Sequence, residues 1–367
     1  MVAAWEDAAA LEPGLLRGRA RGPFWELLAA LEITLFVTRE YEHLLVALNG
    51  SGVSYLRLPH PSGVAVPPER DRLLVASTRN PNQLFELRPA TGLVDRADVD
   101  ARTAAPLLER RPLVPSATTF LPGSTYLHDL AFIGPELHGN SVGTNSVVTI
   151  DAGGARKVWW PRCIEVDGTP RFERNYIQLN SIAAGPTLEQ SFFSASSDKI
   201  SSRRPSHQNY PVDGRGVIFA GGTRDPVVRG LTRPHSARLQ NGVLWVDNSG
   251  YGELARVEGG RAEVVSRLPG WTRGLCFNGR YAFVGTSRVL QRFQQYAPGL
   301  DIDRCSCGVH VVDLETGALT ASLTWPAGDQ IFALEWMPNS TTRGLPFTPG
   351  GARWGRRERM LFYAYAT

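Results

Sequence analysis

The sequence predicts an all-β chain: a six-bladed β-propeller with a short N-terminal helical segment, seven blades being the alternative count. Two observations predict it. The first is a recurring segment in which one or two polar residues lead into a small and apolar run. It reads His60-Pro61-Ser62-Gly63-Val64-Ala65, His128-Asp129-Leu130-Ala131-Phe132, Asn180-Ser181-Ile182-Ala183, His235-Ser236-Ala237-Arg238-Leu239, Arg273-Gly274-Leu275-Cys276-Phe277 and Ile331-Phe332-Ala333-Leu334. The segments recur at intervals averaging about 54 residues, the length of one four-stranded blade. The second is the alternation of apolar runs and Gly-containing turns downstream of each segment. The fourth repeat shows it most fully: Ser236 to Leu239, the turn Gln240-Asn241-Gly242, Val243 to Val246, the loop Asp247-Asn248-Ser249-Gly250, Glu253 to Val257, and Ala262 to Leu268. Asn-Gly between apolar runs is a strong hairpin signal, because type I′ turns need two residues at positive φ.

The elements divide the chain into an N-terminal helical extension (1–31), a propeller (32–338) and a C-terminal tail (339–367) available to close the last blade. Two stretches read as helical: Trp5 to Leu16, broken by Pro13, and Pro23 to Leu31, where Trp25, Leu27, Leu28 and Leu31 share one face. Blade five repeats the hairpin grammar with Asn278-Gly279 before Tyr281 to Val284, and blade six is expected to open late, at Gly308 to Asp313. The ring closes either through Ile33 to Val37 or through Met360 to Tyr365. The long interval from His60 to His128 leaves room for an insertion such as Arg102 to Pro115.

Bulk properties narrow the function class. At 367 residues and 43% hydrophobic the chain can bury a large single core, and its 37 Gly and 26 Pro are spread as turn residues are. The N-terminus lacks a basic region followed by an apolar stretch, and Leu27 to Val37, interrupted by Glu32, is too short to span a bilayer; a cytoplasmic location with no membrane partner is expected. Cys163, Cys276, Cys305 and Cys307 have neither disulfide-framework nor zinc-knuckle spacing and are expected to be reduced thiols. The formal charge of +4 comes from scattered arginines, clustered at Arg17, Arg19 and Arg21, at Arg203 and Arg204, and from Arg353 to Arg359. None is interleaved with aromatics, so no nucleic-acid partner is expected. No Gly-x-Ser-x-Gly elbow occurs, and Gly221-Gly222-Thr223 does not precede a helix, which removes serine-hydrolase and phosphate-loop readings.

In a propeller the innermost strands line a central channel and their first residues face one mouth, so the repeat heads become neighbours. His128 and His235 stand at equivalent positions, with Asn180 leading the blade between them. Imidazoles with amide oxygens are the donors of a divalent transition metal such as zinc, iron, copper or nickel, and the candidate ligands are His128, His235, Asn180 and Gln178. Asp129 and Arg273 are the candidate catalytic groups. Arg273 is expected either to pair with Asp129 or Glu335 or to bind an anionic ligand, since an unpaired buried guanidinium is costly. His60, with Asn145 and Asn248 from a second polar row (Asn140 to Ser146, Ser194 to Asp198, Asp247 to Gly250, Gly285 to Arg288), is a candidate ligand-binding residue. His138, His207 and His310 read as structural.

Leu127 to Phe132, Leu179-Asn180-Ser181, Pro234 to Arg238 with Leu244 to Gly250, Leu268 to Leu275, and Cys307-Gly308-Val309 to Leu314 resemble a bacterial family of conserved hypothetical proteins of unknown function. The resemblance runs over roughly residues 35 to 338. More remotely the pattern is similar to six-bladed propellers of the gluconolactonase, senescence-marker and strictosidine synthase kind, which implies a metal or ligand over the channel. The chain departs from the close family: Gln178 stands where a His is usual, Gln330-Ile331-Phe332-Ala333 replaces Glu-Ile-Phe-Asp, and Asn140 to Thr144 replaces a more aromatic segment. One imidazole and two carboxylates are therefore missing. Two functions are expected of such a chain: an enzyme acting on a small polar metabolite or modified amino acid at the channel mouth, metal-dependent or not, or a non-catalytic propeller binding a protein partner or small ligand.

Overall fold

The computed structural model describes residues 11–79, 82–94, 105, 108–201, 210–349 and 364–367. Six antiparallel sheets succeed one another around an axis, each built outward from an innermost strand. Blade one runs from Pro61–Ala65 through Leu73–Ser77 and Asn82–Pro89 to Leu113–Leu121. Blade two comprises Leu127–Ile133, Glu136–Ser141, Ser146–Asp151 and Gly154–Trp159. Blade three comprises Leu179–Ala183, Phe192–Ala195, Gly216–Ala220 and Pro226–Leu231. Blade four comprises Pro234–Gln240, Val243–Asn248, Glu253–Glu258 and Arg261–Arg267. Blade five comprises Trp271–Asn278, Tyr281–Ser287, Cys307–Asp313 and Leu319–Trp325, and Arg19–Arg21 adds a fifth, outer strand to it. In blade six Leu334–Pro338 is innermost, then Ile33–Arg39, Leu44–Asn49 and Gly52–Arg57.

Blade six thus joins the two ends of the chain: Val37 pairs with Leu334 and Ile33 with Pro338, which closes the ring through the N-terminal segment. The described part of the tail does other work, Tyr365–Ala366 pairing with Gly92–Leu93 in the blade-one insertion. The segment Gly308 to Asp313, expected in blade six, is the third strand of blade five. An insertion from Arg288 to Ser306, carrying the short 3-10 helix Gln291–Tyr296, delays it. The helical segment forms over Phe24–Ala30 and buries Phe24 and Leu28; of the earlier stretch only the turn Pro13–Leu15 lies within the described residues.

Apolar packing between successive blades supplies the cores, since a sheet with one wet edge must bury its faces against its neighbours. Val147 and Trp159 meet Ile182, Phe193 and Phe219 between blades two and three, with the Trp159 and Phe193 rings 4.1 Å apart. Ile218, Leu231, Ala237 and Val246 join blades three and four.

The detail that positions the mouth is a bulge. In each of blades one to five the innermost strand makes one or two pairs, at Pro61, Leu127, Leu179, Pro234 and Thr272, and then loses register. A bulge re-aims side chains. Here the bulge residue turns sideways and its side chain accepts an N–H from the next blade. Asp129 Oδ2 takes Ile182 N–H at 2.9 Å, Ser181 Oγ takes Ala237 N–H at 2.8 Å, and Ser236 Oγ takes Gly274 N–H at 2.7 Å. In blade one the bulge residue is Gly63, where a Cβ would come within 2.6 Å of Asp129 Cα, so only glycine fits.

Asp129 is the strongest of these ties, because both its oxygens also receive a bidentate pair from Arg238, at 2.7 and 3.0 Å, with the two side chains mostly buried. Asp129→Ala leaves Arg238 uncompensated and is expected to destabilise the fold by about 3–5 kcal/mol. Urea denaturation measures this; a loss under about 1 kcal/mol contradicts the assigned role.

Candidate functional site

Aligning the blades on their first paired residue gives two rings of side chains at one mouth. The residue before the pair forms a rim: Tyr126, Gln178, Arg233 and Trp271, with Gln330 in blade six. The residue after it forms a throat: His128, Asn180, His235 and Arg273, with Phe332 in blade six. Blade six is placed in this register because Ile331 O accepts from Ser287 of the preceding blade as Leu127 O, Leu179 O and Pro234 O accept from Ser62, Asn140 and Asn180. All ten of these residues line one cavity of about 210 Å³, completed by Glu40, Tyr41, Thr78 and Arg79 and by Phe293 and Tyr296 from the blade-five insertion. Successive side chains of an extended strand alternate, so residues two apart share the channel side. The rim backbone is strained to hold this arrangement: φ is +48° at Tyr126, +51° at Gln178 and +53° at Arg233.

The alignment changes one landmark. His60, at φ +44°, precedes Pro61 and so holds the rim register, and Ser62 is the counterpart of His128. Neither lines the cavity; the His60 ring packs edge-on against His43 with centroids 4.2 Å apart.

His128 and His235 do meet at the mouth, their ring centroids 6.2 Å apart with the Phe332 ring edge-on to both. Arg273 lies beside them. Its Nε donates to His235 Nε2 at 3.1 Å and its guanidinium carbon sits 3.5 Å from the Phe332 ring centre. The Gln330 amide, oriented by its neighbours, accepts from Arg273 Nη1 at 2.6 Å and donates to Glu40 Oε2 at 3.0 Å. Glu40 is further held by Thr78 Oγ1 and by Arg79 at 3.7 Å. The carboxylates expected to pair with Arg273 are engaged elsewhere, Asp129 with Arg238 and Glu335 with Arg70. Among the described residues Arg273 has no carboxylate within ion-pair distance. Asp129 accordingly stands outside the cavity lining and acts as a tie between blades, contrary to its expected catalytic place.

Electrostatics here are set by burial. Both imidazoles are pushed well below their ordinary range, by burial first and then by Arg273, so they are neutral at pH 7. With Nε2 accepting from Arg273, His235 carries its proton on Nδ1, 3.0 Å from Ser236 Oγ. His128 Nδ1 is buried without a hydrogen-bond partner among the described residues. Burial lowers Arg233 and Arg273 to about 10 each, still cationic at neutral pH. Arg233 donates to Gln178 Oε1 and Ser196 Oγ and lies over the Tyr296 ring, 4.0 Å from its centre. Asp247, paired with His235 across the strands, is fully buried, and burial pushes its carboxyl well above the usual range. It therefore brings no negative charge to the arginines.

The expected metal ligands do not suit a divalent cation. His235 Nε2 is already an acceptor for a guanidinium, Gln178 Oε1 faces Arg233, and the Asn180 amide nitrogen donates to Ser196 Oγ and Pro234 O. Among the described residues no three His, Cys, Asp or Glu side chains gather as a metal site. Asn145 and Asn248 stand outside the cavity and serve the backbone. Asn145 Oδ1 accepts from Tyr176 and Ile177 N–H and its amide donates to Arg171 and Arg174 carbonyls, while Asn248 Oδ1 accepts from Thr232 N–H. His138 and His310 are buried in outer strands, and His207 falls outside the described residues. The four cysteines are free thiols.

The sequence matches the model of the domain of unknown function DUF4915 over residues 22–344. The chain belongs to that family. No curated protein matches it in sequence. In structure it is similar to the nidogen/laminin complex, with a TM-score of 0.53, 9% identity, and 83% of this chain and 98% of that one covered. It is also similar to a gluconolactonase of Xanthomonas campestris (TM-score 0.46, 12% identity, 73% and 77% covered) and to a candidate 6-phosphogluconolactonase of Bacteroides uniformis (TM-score 0.45, 13% identity, 83% and 99% covered). At these identities the likeness concerns the fold alone, and the two lactonase scores carry no argument about what this DUF4915 chain acts on. Among the described residues no helix is long and apolar enough to cross a membrane.

The residues missed by sequence were the rim, except Gln178, and the aromatics of the insertion. Their signal was the two-residue stride itself: Arg233 precedes His235 by two, Trp271 precedes Arg273 by two, and Tyr126 precedes His128 by two. If the throat is as dry and cationic as described, His128 and His235 stay uncharged well below pH 6.5. Histidine ring NMR resonances tracked from pH 8 to 5 are expected to show no titration for these two, against an ordinary midpoint near 6.5. Titration of both near that value contradicts the assigned burial.

Proposed function

We propose that this propeller binds a small polar metabolite bearing a negative charge in its channel mouth and acts on it there. The observation that carries the reading is Arg273: a cation at the throat, 6% exposed, which the protein leaves without a carboxylate among the described residues. Burying a guanidinium in this way is unfavourable unless a partner arrives to compensate it, and an anionic ligand is that partner. The rest of the lining supports a small molecule rather than a macromolecule. A cavity of about 210 Å³ floored by Phe332 and walled by Tyr41, Tyr126, Trp271, Phe293 and Tyr296 suits a compact body with one charged end.

His128 supports catalysis. It is a neutral imidazole at the cavity surface, and a neutral imidazole can take a proton from a bound hydroxyl or water. His235 acts as a positioning residue, since its Nε2 holds the Arg273 guanidinium in place. The donor set of the mouth favours metal-free chemistry. The protein-partner reading has less support: the exposed large apolar side chains Phe120, Val264 and Leu319 lie on the outermost strands of three different blades and form no shared face.

A thermal-shift screen of small carboxylate and phosphate metabolites tests the proposal. Ligands that stabilise the wild type are expected to lose about 100-fold in affinity on Arg273→Met, the cost of removing a buried charge partner. Chelation of the protein is expected to leave their binding unchanged, and His128→Asn to abolish turnover while keeping binding. Stoichiometric transition metal in protein purified without chelator, with ligand binding lost on its removal, overturns the metal-free assignment. Equal affinity of wild type and Arg273→Met overturns the anchor.

A further inference from the structure

Resting on that reading, we infer that the charged end of the ligand is a dianion of the phosphate-monoester kind. The charge of the lining points to it. Three guanidiniums, those of Arg79, Arg233 and Arg273, stand against the single carboxylate of Glu40. Arg79 is the one beside Glu40, which leaves the two inner cations to face the ligand. The other titratable groups facing them add nothing: His128 and His235 are uncharged, the tyrosines Tyr41, Tyr126 and Tyr296 are neutral phenols at pH 7, and Asp247 behind His235 carries its proton. A single negative charge matches one guanidinium of the lining, whereas two charges on one compact group match both.

The geometry agrees with the charge. Each inner guanidinium is stacked on an aromatic face, Arg273 on Phe332 at 3.5 Å and Arg233 on Tyr296 at 4.0 Å. Stacking fixes the plane and turns the N–H edge of the fork sideways. That is the edge with which arginine binds the oxygens of phosphate or carboxylate in parallel pairs. Arg273 Nη2 has no hydrogen-bond partner among the described residues, while Nε and Nη1 are held by His235 and Gln330. Two pre-set forks around one tetrahedral group make more bonds than a planar carboxylate can accept.

Binding of methyl phosphate, sulfate and acetate, measured by calorimetry from pH 5 to 7, tests this. Because the throat imidazoles do not titrate in this range, a change in methyl phosphate affinity reports its own second ionisation, near pH 6. Its affinity is expected to rise about tenfold over the interval while that of sulfate, a dianion throughout, stays flat. Arg273→Met and Arg233→Met are each expected to weaken methyl phosphate at least tenfold, with Arg273→Lys and Arg233→Lys retaining part of it as folded controls. Acetate binding as tightly as methyl phosphate, without pH dependence and still lost in Arg273→Met, overturns the dianion and leaves the anion site standing. No measurable binding of all three anions to the wild type overturns both.

Discussion

Everything at the mouth depends on the bulge that interrupts each innermost strand after its first pairs. Without it a strand would present alternate residues in even register down the channel. With it, the bulge residue swings toward the next blade and receives a backbone N–H, and the residues flanking the first pair are held at the opening. The same hydrogen bonds that fasten blade two to three, three to four and four to five are thus the ones that set where His128, Asn180, His235 and Arg273 point. Stability and site geometry are one device, which is why an acid that looks catalytic, Asp129, is a fastener.

The second constraint is charge in a dry place. Arg238 and Arg273 lie one on each of two adjacent innermost strands, yet they have opposite fates. Arg238 is given a bidentate carboxylate and becomes structure. Arg273 is given a neutral imidazole, an amide and an aromatic face, which position the guanidinium and leave its charge standing. Its field in turn helps to hold both throat imidazoles neutral. The cation that would disfavour a divalent metal is also what recruits an anion.

Much of the fold was legible because turns are local. Asn241-Gly242 and Asn278-Gly279 place hairpins where the structure has them, and the repeat spacing yields six blades. Closure is non-local, so residues 33 to 37 and 334 to 338 gave no local sign that they pair. The insertion from Arg288 to Ser306 likewise hid the third strand of blade five, which its distance from the second made look like the start of another blade. In the site, the meeting of His128 and His235 came from repeat position alone. Register within a repeat did not, and matching His60 to His128 by residue type misplaced blade one by two positions. Asn145 and Asn248 show a further limit: an amide that orders a turn and one that binds a ligand have the same composition, and only the partners of its two atoms tell them apart.

The central claim is that Arg273 keeps its charge for a ligand. A crystal structure of the protein soaked with tungstate, whose anomalous signal marks an oxyanion unambiguously, tests it most directly. The account predicts an anomalous peak in the throat with oxyanion oxygens about 3 Å from the Arg273 guanidinium, between Phe332 and His235. A throat without a peak, in which Arg273 forms an ion pair with a carboxylate of its own chain, contradicts it.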